Sequence, residues 1–359
     1  MSKTKYYKKI NRFYILLIFA YLFLFITSCI NQNNNIRDLK TVDEKTNFRN
    51  VILIGWDGVQ REHFNELLNQ KKLPNIEKLI NVGGIIDIDL TTGETQTKPG
   101  WSEILTGYNP SITGVYSNTD YGPIPEGYTV FERLENHFGK ENIVTIFIGG
   151  KLNNIGARGP HRICINCYKR DPVKFEKTMW WEENTSAPPK EPGKERIFKQ
   201  RSGEPFYYTK NNIDIYLTGL GNASNVGFEV IKSLEKFKDK RFFAFYHFEE
   251  PDEQGHVYGE NSEEYSQGII RDDYWLGMIV AKLKELGIGN ETLIYITSDH
   301  GFNEGSQEHD NAPYVFLATN DQLVKRNGDR KDITPTILKR YGLNLSAISP
   351  SLQGNPLTG

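Results

Sequence analysis

Cysteine is nearly absent, with three in 359 residues, and two of those lie close together as Cys164 and Cys167. The pair lacks the two further ligands of a zinc knuckle, since only His161 is near, and it lacks the helix start after a βαβ pattern that a thioredoxin-like redox site needs. It reads as a local structural disulfide of an exported protein. An excess of positive charge is also missing. The formal charge is −2, and the first 28 residues hold Lys3, Lys5, Lys8, Lys9 and Arg12 with no acid, so the remaining body stands at −7. A mildly acidic body excludes nucleic acid as a partner held by bulk charge, and an anionic substrate must be attracted locally. Long apolar runs are missing too. Phe13 to Ile26 falls short of the roughly 20 residues of a membrane span.

That short run follows a basic stretch and ends at Ile26-Thr27-Ser28-Cys29, which resembles a bacterial lipobox. Residues 1–28 are therefore expected to be a lipoprotein signal peptide, with Cys29 lipidated; an uncleaved anchor helix is the alternative. Either way the body is exported and tethered to a membrane, facing the periplasm or the exterior. Ile30 after the cysteine favours the outer membrane by resemblance to lipoprotein sorting signals, with the outer face of the cell membrane as the alternative. Residues 29–48 are polar, asparagine-rich and aperiodic, as in a flexible tether. The 49–359 body, in a chain that is 38% hydrophobic and 12% aromatic, has enough apolar residues for one large α/β domain or two smaller ones.

Within the body, metal-ligating side chains gather at the ends of apolar runs. Val51 to Ile54 is a continuous apolar run bounded by Gly55, as expected of a parallel strand buried on both faces, and Asp57 follows it. A second run, Arg241 to Phe248, leads through the Pro251 corner to Asp252 and His256. A third, Thr292 to Ser298, delivers Asp299-His300-Gly301, and His309 comes shortly after. Three aspartates and three histidines supply donors for two divalent ions with open positions. Ile85 to Leu90 alternates Ile and Asp, so Asp87 and Asp89 face away from the core and are not counted as ligands. Pro99 disfavours helix at Lys98, which puts Thr97 in an extended corner before a helix opening near Gly100; a hydroxyl there adjoins the amides of a helix N-terminus, a natural anion site. Leu73 to Ile80, Asn225 to Phe237 and Ser262 to Leu286 carry helical periodicity. His63, His137, His161 and His247 have no motif partners, though His247 lies in the strand before Asp252 and can support the ligands from behind.

In order, Asp57-Gly58, Thr97-x-Pro99 with Leu105-Thr-Gly107, Pro110…Gly114, Asn118, Asp252-x-x-x-His256, Asp299-His300-Gly301 and His309 resemble the alkaline phosphatase superfamily. The motifs are most similar to its nucleotide pyrophosphatase/type I phosphodiesterase and threonine-nucleophile phosphatase branch. Asp332 to Leu338 is similar to the family's late helix. The resemblance implies an alkaline-phosphatase-like three-layer α/β/α sandwich with a mostly parallel central sheet. It implies one metal held by Asp57, Asp299 and His300 with Thr97 as open-side ligand, and another held by Asp252, His256 and His309. Asn118 matches the asparagine that binds a phosphoryl oxygen. Phe147 to Gly156 resembles the sulfatase stretch in which Gly-Lys precedes Trp-His-Leu-Gly, but Thr97-Lys-Pro-Gly-Trp101 replaces the sulfatase nucleophile motif. Lys151, with Arg158, adds positive charge suited to the non-bridging oxygens of a dianionic monoester.

The expected function is thus a two-zinc phosphoester hydrolase, a phosphodiesterase or phosphomonoesterase acting through a covalent phosphothreonine at Thr97 on a small phosphate ester. Histidine and aspartate ligands favour zinc over magnesium. A sulfatase or a phosphoryl transferase are the rivals within the superfamily, the transferase weakened because no multi-helix membrane domain is present. A non-catalytic binding lipoprotein is the rival from another class. Residues 157–212, rich in Pro, Lys and Glu and carrying Trp180-Trp181, read as an insertion or cap beside the site.

Overall fold

The computed structural model describes residues 48–164, 166, 189 and 191–359. The expected signal peptide with Cys29, the tether up to residue 47 and the middle of the expected insertion, with Cys167 and the two tryptophans, lie outside the described residues. In chain order the first half runs β1 (Asn50–Trp56), α1 (Arg61–Asn69), α2 (Pro74–Ile80), β2 (Gly84–Asp89), α3 (Thr97–Thr106), α4 (Pro110–Thr113), α5 (Val130–Phe138), β3 (Val144–Gly149), β4 (His161–Cys164) and β5 (Phe198–Arg201). It continues with α6 (Tyr207–Asn212), β6 (Ile215–Leu217), α7 (Ala223–Phe237), β7 (Phe242–Phe248), α8 (Glu250–Tyr258), α9 (Glu263–Glu285), β8 (Thr292–Thr297), β9 (Tyr314–Thr319) and α10 (Ile333–Arg340).

Seven strands form one sheet in the order β2-β9-β8-β1-β7-β3-β6. The five strands from β8 to β6 are parallel, while β9 and β2 close one edge antiparallel. Every residue of β1, β7 and β8 is buried, as a sheet covered on both faces requires. The pleat sends Ile52, Ile54 and Trp56 into one core with Phe64 of α1, Val226 of α7 and Ile269 of α9. Val51 and Leu53 enter a second core with Trp101 of α3, Phe131 of α5 and Ile337 of α10. Each such side chain, fully removed from water, contributes roughly 1.5–3 kcal/mol. The expected three-layer α/β/α sandwich is therefore what forms.

Parallel strands end on the same edge, and in open α/β sheets that carboxyl edge is where ligands bind. Asp57 follows β1, Lys151 follows β3, α8 follows β7, and Asp299 follows β8. One local expectation is corrected. Helix α3 begins at Thr97, three residues before Gly100, with Gln96 extended as its cap; Pro99 sits in the first turn, where its missing N–H would have had no helical acceptor anyway. Asp252 and His256 stand on α8, one turn apart on one face. The exclusion of Asp87 and Asp89 holds: both are exposed and pair with Arg61. Within the insertion, β4 and β5 form a small antiparallel ladder, and Cys164 is disulfide-bonded. Among the described residues no helix is long and apolar enough to cross a membrane.

Candidate active site

Thr97 is the first residue of α3 and is buried at the carboxyl edge. The helix can approach that edge because Gly100 packs on Asp299: a Cβ at Gly100 would stand 2.7 Å from the Asp299 Cβ. One turn along, Trp101 lies over Gly55, where an added Cβ would meet the indole at 2.3 Å. Its Nε1 then donates to Asp57 Oδ2 at 3.2 Å. Asn118 binds the start of the same helix, its Oδ1 accepting from Lys98 N at 2.9 Å and its own N donating to Gln96 Oε1 at 2.7 Å. That leaves the Asn118 carboxamide nitrogen as the group's remaining donor.

The three histidines share one arrangement. His256 Nδ1 meets Gln307 O at 2.8 Å, His300 Nδ1 meets Gly301 O at 3.0 Å, and His309 Nδ1 meets Thr95 O at 2.5 Å. A carbonyl can only accept, so each Nδ1 carries the proton and each Nε2 offers a lone pair, the tautomer of a metal ligand. Around them, Asp252 Oδ1, Asp299 Oδ2 and His300 Nε2 are buried without a hydrogen-bond partner among the described residues. Ligand atoms of Asp57, Asp299 and His300 lie within 4.8 Å of one another, and so do those of Asp252, His300 and His309. His300 thus faces both groups, 3.8 Å from Asp57 and 3.9 Å from Asp252. His256 stands at the rim, its Nε2 3.5 Å from Asp252 Oδ1 and its side chain 34% exposed. Buried oxygen and imidazole donors left unpaired by the chain fit divalent ions.

Lys151 enters this cluster more deeply than a substrate-facing cation would. Its Nζ contacts Asp252 Oδ2 at 2.5 Å and Asp57 Oδ1 at 2.8 Å, and it reaches Thr97 Oγ1 at 3.3 Å. Burial works against its charge, but the carboxylates of Asp252 and Asp57 outweigh that and hold the ammonium well above the ordinary lysine value. Asp57 is held low against its own burial, by Lys151 and by a hydrogen bond from His247. Asp299 is pushed well up, first by burial and then by the charge of Asp57. Burial, helped by His309, pushes His300 down to about 3, keeping it neutral. Glu249 rises to about 8 through burial and the nearby charge of Glu253. Arg158 is exposed on the flank, its backbone N bonded to Glu204.

Several supporting residues were not legible from motif order. His247, noted only as a possible support, brings its Nε2 to 2.6 Å from Asp57 Oδ2. Arg330 is wholly buried. It donates to Glu103 Oε2 at 2.7 Å, to Asp299 O at 3.1 Å, to Thr92 O at 3.0 Å and to Glu94 O at 3.2 Å. One guanidinium thereby joins α3, the loop before Thr97 and the backbone of Asp299. His63, which has no motif partner in the sequence, bridges Glu260 Oε1 at 2.7 Å and Ser266 Oγ at 2.9 Å. Glu260 in turn accepts from Gly305 N at 2.9 Å and donates its own N to Ser306 O at 2.9 Å. The tied loop carries Gln307 and His309. The sequence signal for His63 is weak: an unpaired histidine on an amphipathic helix.

A sandwich of this topology, with its donors at the parallel edge, has the alkaline-phosphatase-like fold. It superposes on a protein of the alkaline phosphatase superfamily from Vibrio parahaemolyticus with a TM-score of 0.53 at 14% identity, covering 91% of this chain and 77% of that one. Phosphonate monoester hydrolase from Silicibacter pomeroyi matches with a TM-score of 0.52 at 14% identity, over 86% of this chain and 75% of that one. These likenesses establish the fold. The chain itself belongs to the type I phosphodiesterase / nucleotide pyrophosphatase family, whose model matches residues 51–346. It is similar to Bis(5'-adenosyl)-triphosphatase ENPP4 of Homo sapiens, 24% identical over 259 residues, covering 72% of this chain and 48% of that protein. It is also similar to Ectonucleotide pyrophosphatase/phosphodiesterase family member 1 of Mus musculus, 37% identical over 319 residues, covering 84% of this chain and 30% of that protein. The chain therefore spans half or less of the length of these relatives.

Proposed function

We propose that this chain is an exported phosphoester hydrolase, tethered to the membrane through lipidated Cys29, with Thr97 as nucleophile. Two zinc ions are its cofactors, one held by Asp57, Asp299, His300 and Thr97, the other by Asp252, His256 and His309. The observation that carries the reading is the Thr97 hydroxyl at a helix N-terminus beside buried carboxylate and imidazole donors that the chain leaves unpaired. Bound there, the ions would supply Lewis acidity to lower the hydroxyl pKa and to stabilise charge on the reacting oxygens.

The chain's own groups do the rest. The Thr97 oxygen attacks phosphorus in line, a Thr97 Oγ–P bond forms, and the bond to the leaving oxygen breaks, that oxygen taking a proton. Water then cleaves the phosphothreonine, releasing the phosphoryl product and restoring the hydroxyl. Asn118 and Lys151 neutralise charge on the equatorial oxygens, where positioning and electrostatics carry most of the catalysis. His247 and Trp101 fix the Asp57 carboxylate against rotation.

The names of the relatives favour a diester or a phosphoanhydride of a nucleotide; a lysine 3.3 Å from the nucleophile favours a dianionic monoester. Hydrolysis of p-nitrophenyl phosphate and bis-p-nitrophenyl phosphate, with p-nitrophenyl sulfate as a third arm and metal content measured on the same sample, tests the reading. Turnover of either phosphate ester by metal-loaded protein supports it, and the preferred ester names the branch. Preference for the sulfate ester would make the chain a sulfatase. No metal and no turnover on any of the three would leave a binding lipoprotein.

A further inference from the structure

Both oxygens of Asp57 are already engaged by the chain's own donors. Oδ1 accepts from Lys151 Nζ at 2.8 Å, and Oδ2 accepts from His247 at 2.6 Å and Trp101 at 3.2 Å. Asp252 differs. Its Oδ2 meets Lys151, but its Oδ1 is buried with no hydrogen-bond partner among the described residues, and His256 and His309, whose Nδ1 atoms are turned to carbonyls, stand near it. An ion arriving at Asp252 Oδ1 with His256 and His309 displaces no hydrogen-bond donor, although the Lys151 ammonium stays 2.5 Å from the other oxygen of that carboxylate. An ion arriving at Asp57 finds neither oxygen free, since Oδ2 is held by His247 and Trp101, and must displace the Lys151 ammonium from Oδ1. The lysine side chain is only 6% exposed, so solvent does little to screen that opposition.

We propose that Lys151 is an internal cation that makes the two metal positions unequal, so that the Asp252–His256–His309 position fills first and the Asp57–Asp299–His300 position fills only as the ammonium is displaced. This rests on the two-metal reading above. Three carboxylates in one buried cluster repel one another, and the ammonium offsets that repulsion in the metal-free chain. The same charge opposes the second ion. Once displaced from Asp57, the ammonium remains within reach of Thr97, which couples full metal loading to the cation available for a phosphoryl group.

The test is titration of the chelator-stripped full chain with Co2+, following the visible ligand-field absorption of the bound ion and the heat of binding in parallel. Wild-type protein is expected to bind two ions in two phases separated by about tenfold or more, the scale on which groups flanking ligands alter metal affinity. Lys151→Met keeps the length and the apolar stem but removes the charge. It should tighten the second phase about tenfold and the first by less, since an ion on Asp252 Oδ1 leaves the ammonium on Oδ2 in place. Lys151→Gln, which retains polarity, should tighten the same phase, and circular dichroism of both variants reports whether the fold is kept. Two phases that Lys151→Met and Lys151→Gln leave in place would overturn the role of Lys151 while keeping the two-metal reading. Saturation at a single ion in wild type and both variants would overturn the two-metal reading itself.

Discussion

Replacing Arg330 with methionine removes one charge from a place that water does not reach. The guanidinium and the Glu103 carboxylate are both fully buried, 2.7 Å apart. Three backbone carbonyls, of Thr92, Glu94 and Asp299, accept from the same group. Glu103 is already pushed up by burial, with Arg330 the main opposing influence. Taking away the arginine leaves a buried carboxyl that must either stay charged without its partner or become protonated. Breaking a buried pair in this way costs about 3–5 kcal/mol. The double variant Arg330→Met, Glu103→Met restores neutrality, so its cost should be smaller than that of Arg330→Met alone by about 1–3 kcal/mol. Urea unfolding followed by circular dichroism on wild type, both single variants and the double variant gives the cycle. The reasoning is refuted if Arg330→Met costs less than about 1 kcal/mol, or if the double variant is no more stable than Arg330→Met.

Two further expectations concern groups outside the ligand set. Glu260→Gln breaks the link between His63 and the loop carrying Gln307 and His309; zinc affinity at the Asp252 side should fall by about tenfold, measured by competition with a chromogenic chelator. Unchanged affinity would make the link a fold element alone. Glu249, raised from 4.5 to about 8, holds its proton more tightly folded than unfolded across that window. Its contribution to stability is therefore full below the unfolded value and declines as pH rises through about 8, by at most about 1.4 kcal/mol per pH unit. In metal-free protein Glu249→Gln should flatten that decline, read as Tm against pH; an unaltered slope would contradict the assignment.

The sheet was legible because parallel strands buried on both faces must be nearly continuous apolar runs, as Val51 to Ile54 and Leu293 to Ile296 are. The candidate ligands stood out because Asp57, Asp252, Asp299 and His300 lie just beyond the ends of such runs, with His256 one helical turn past Asp252; His309 lies further on, in the loop after β8. The start of α3 was not legible, since Pro99 disfavours helix at Lys98 locally while packing of Gly100 on Asp299 and of Trp101 over Gly55 pulls the turn into helix. Arg330 was hidden in a polar stretch, Lys325 to Asp332, that looks solvated; its partner Glu103 is 227 positions away. His63 and Glu260, 197 positions apart, are joined only by the docking of α1 on α9. Lys151 was read as a cation for substrate oxygens. Its contacts with Asp57 and Asp252 depend on how β3 and β7 stand beside β1, which spacing along the chain does not encode.

The most direct measurement of the central claim is turnover of the preferred phosphate ester by wild-type and Thr97→Ala protein, each with metal content verified, followed by acid quench and mass spectrometry of the peptide containing Thr97. The account predicts a phosphoryl group on Thr97 in the wild type and loss of at least about a thousandfold in kcat in the variant, the scale on which removal of a covalent nucleophile acts. Turnover of Thr97→Ala at the wild-type rate would contradict it.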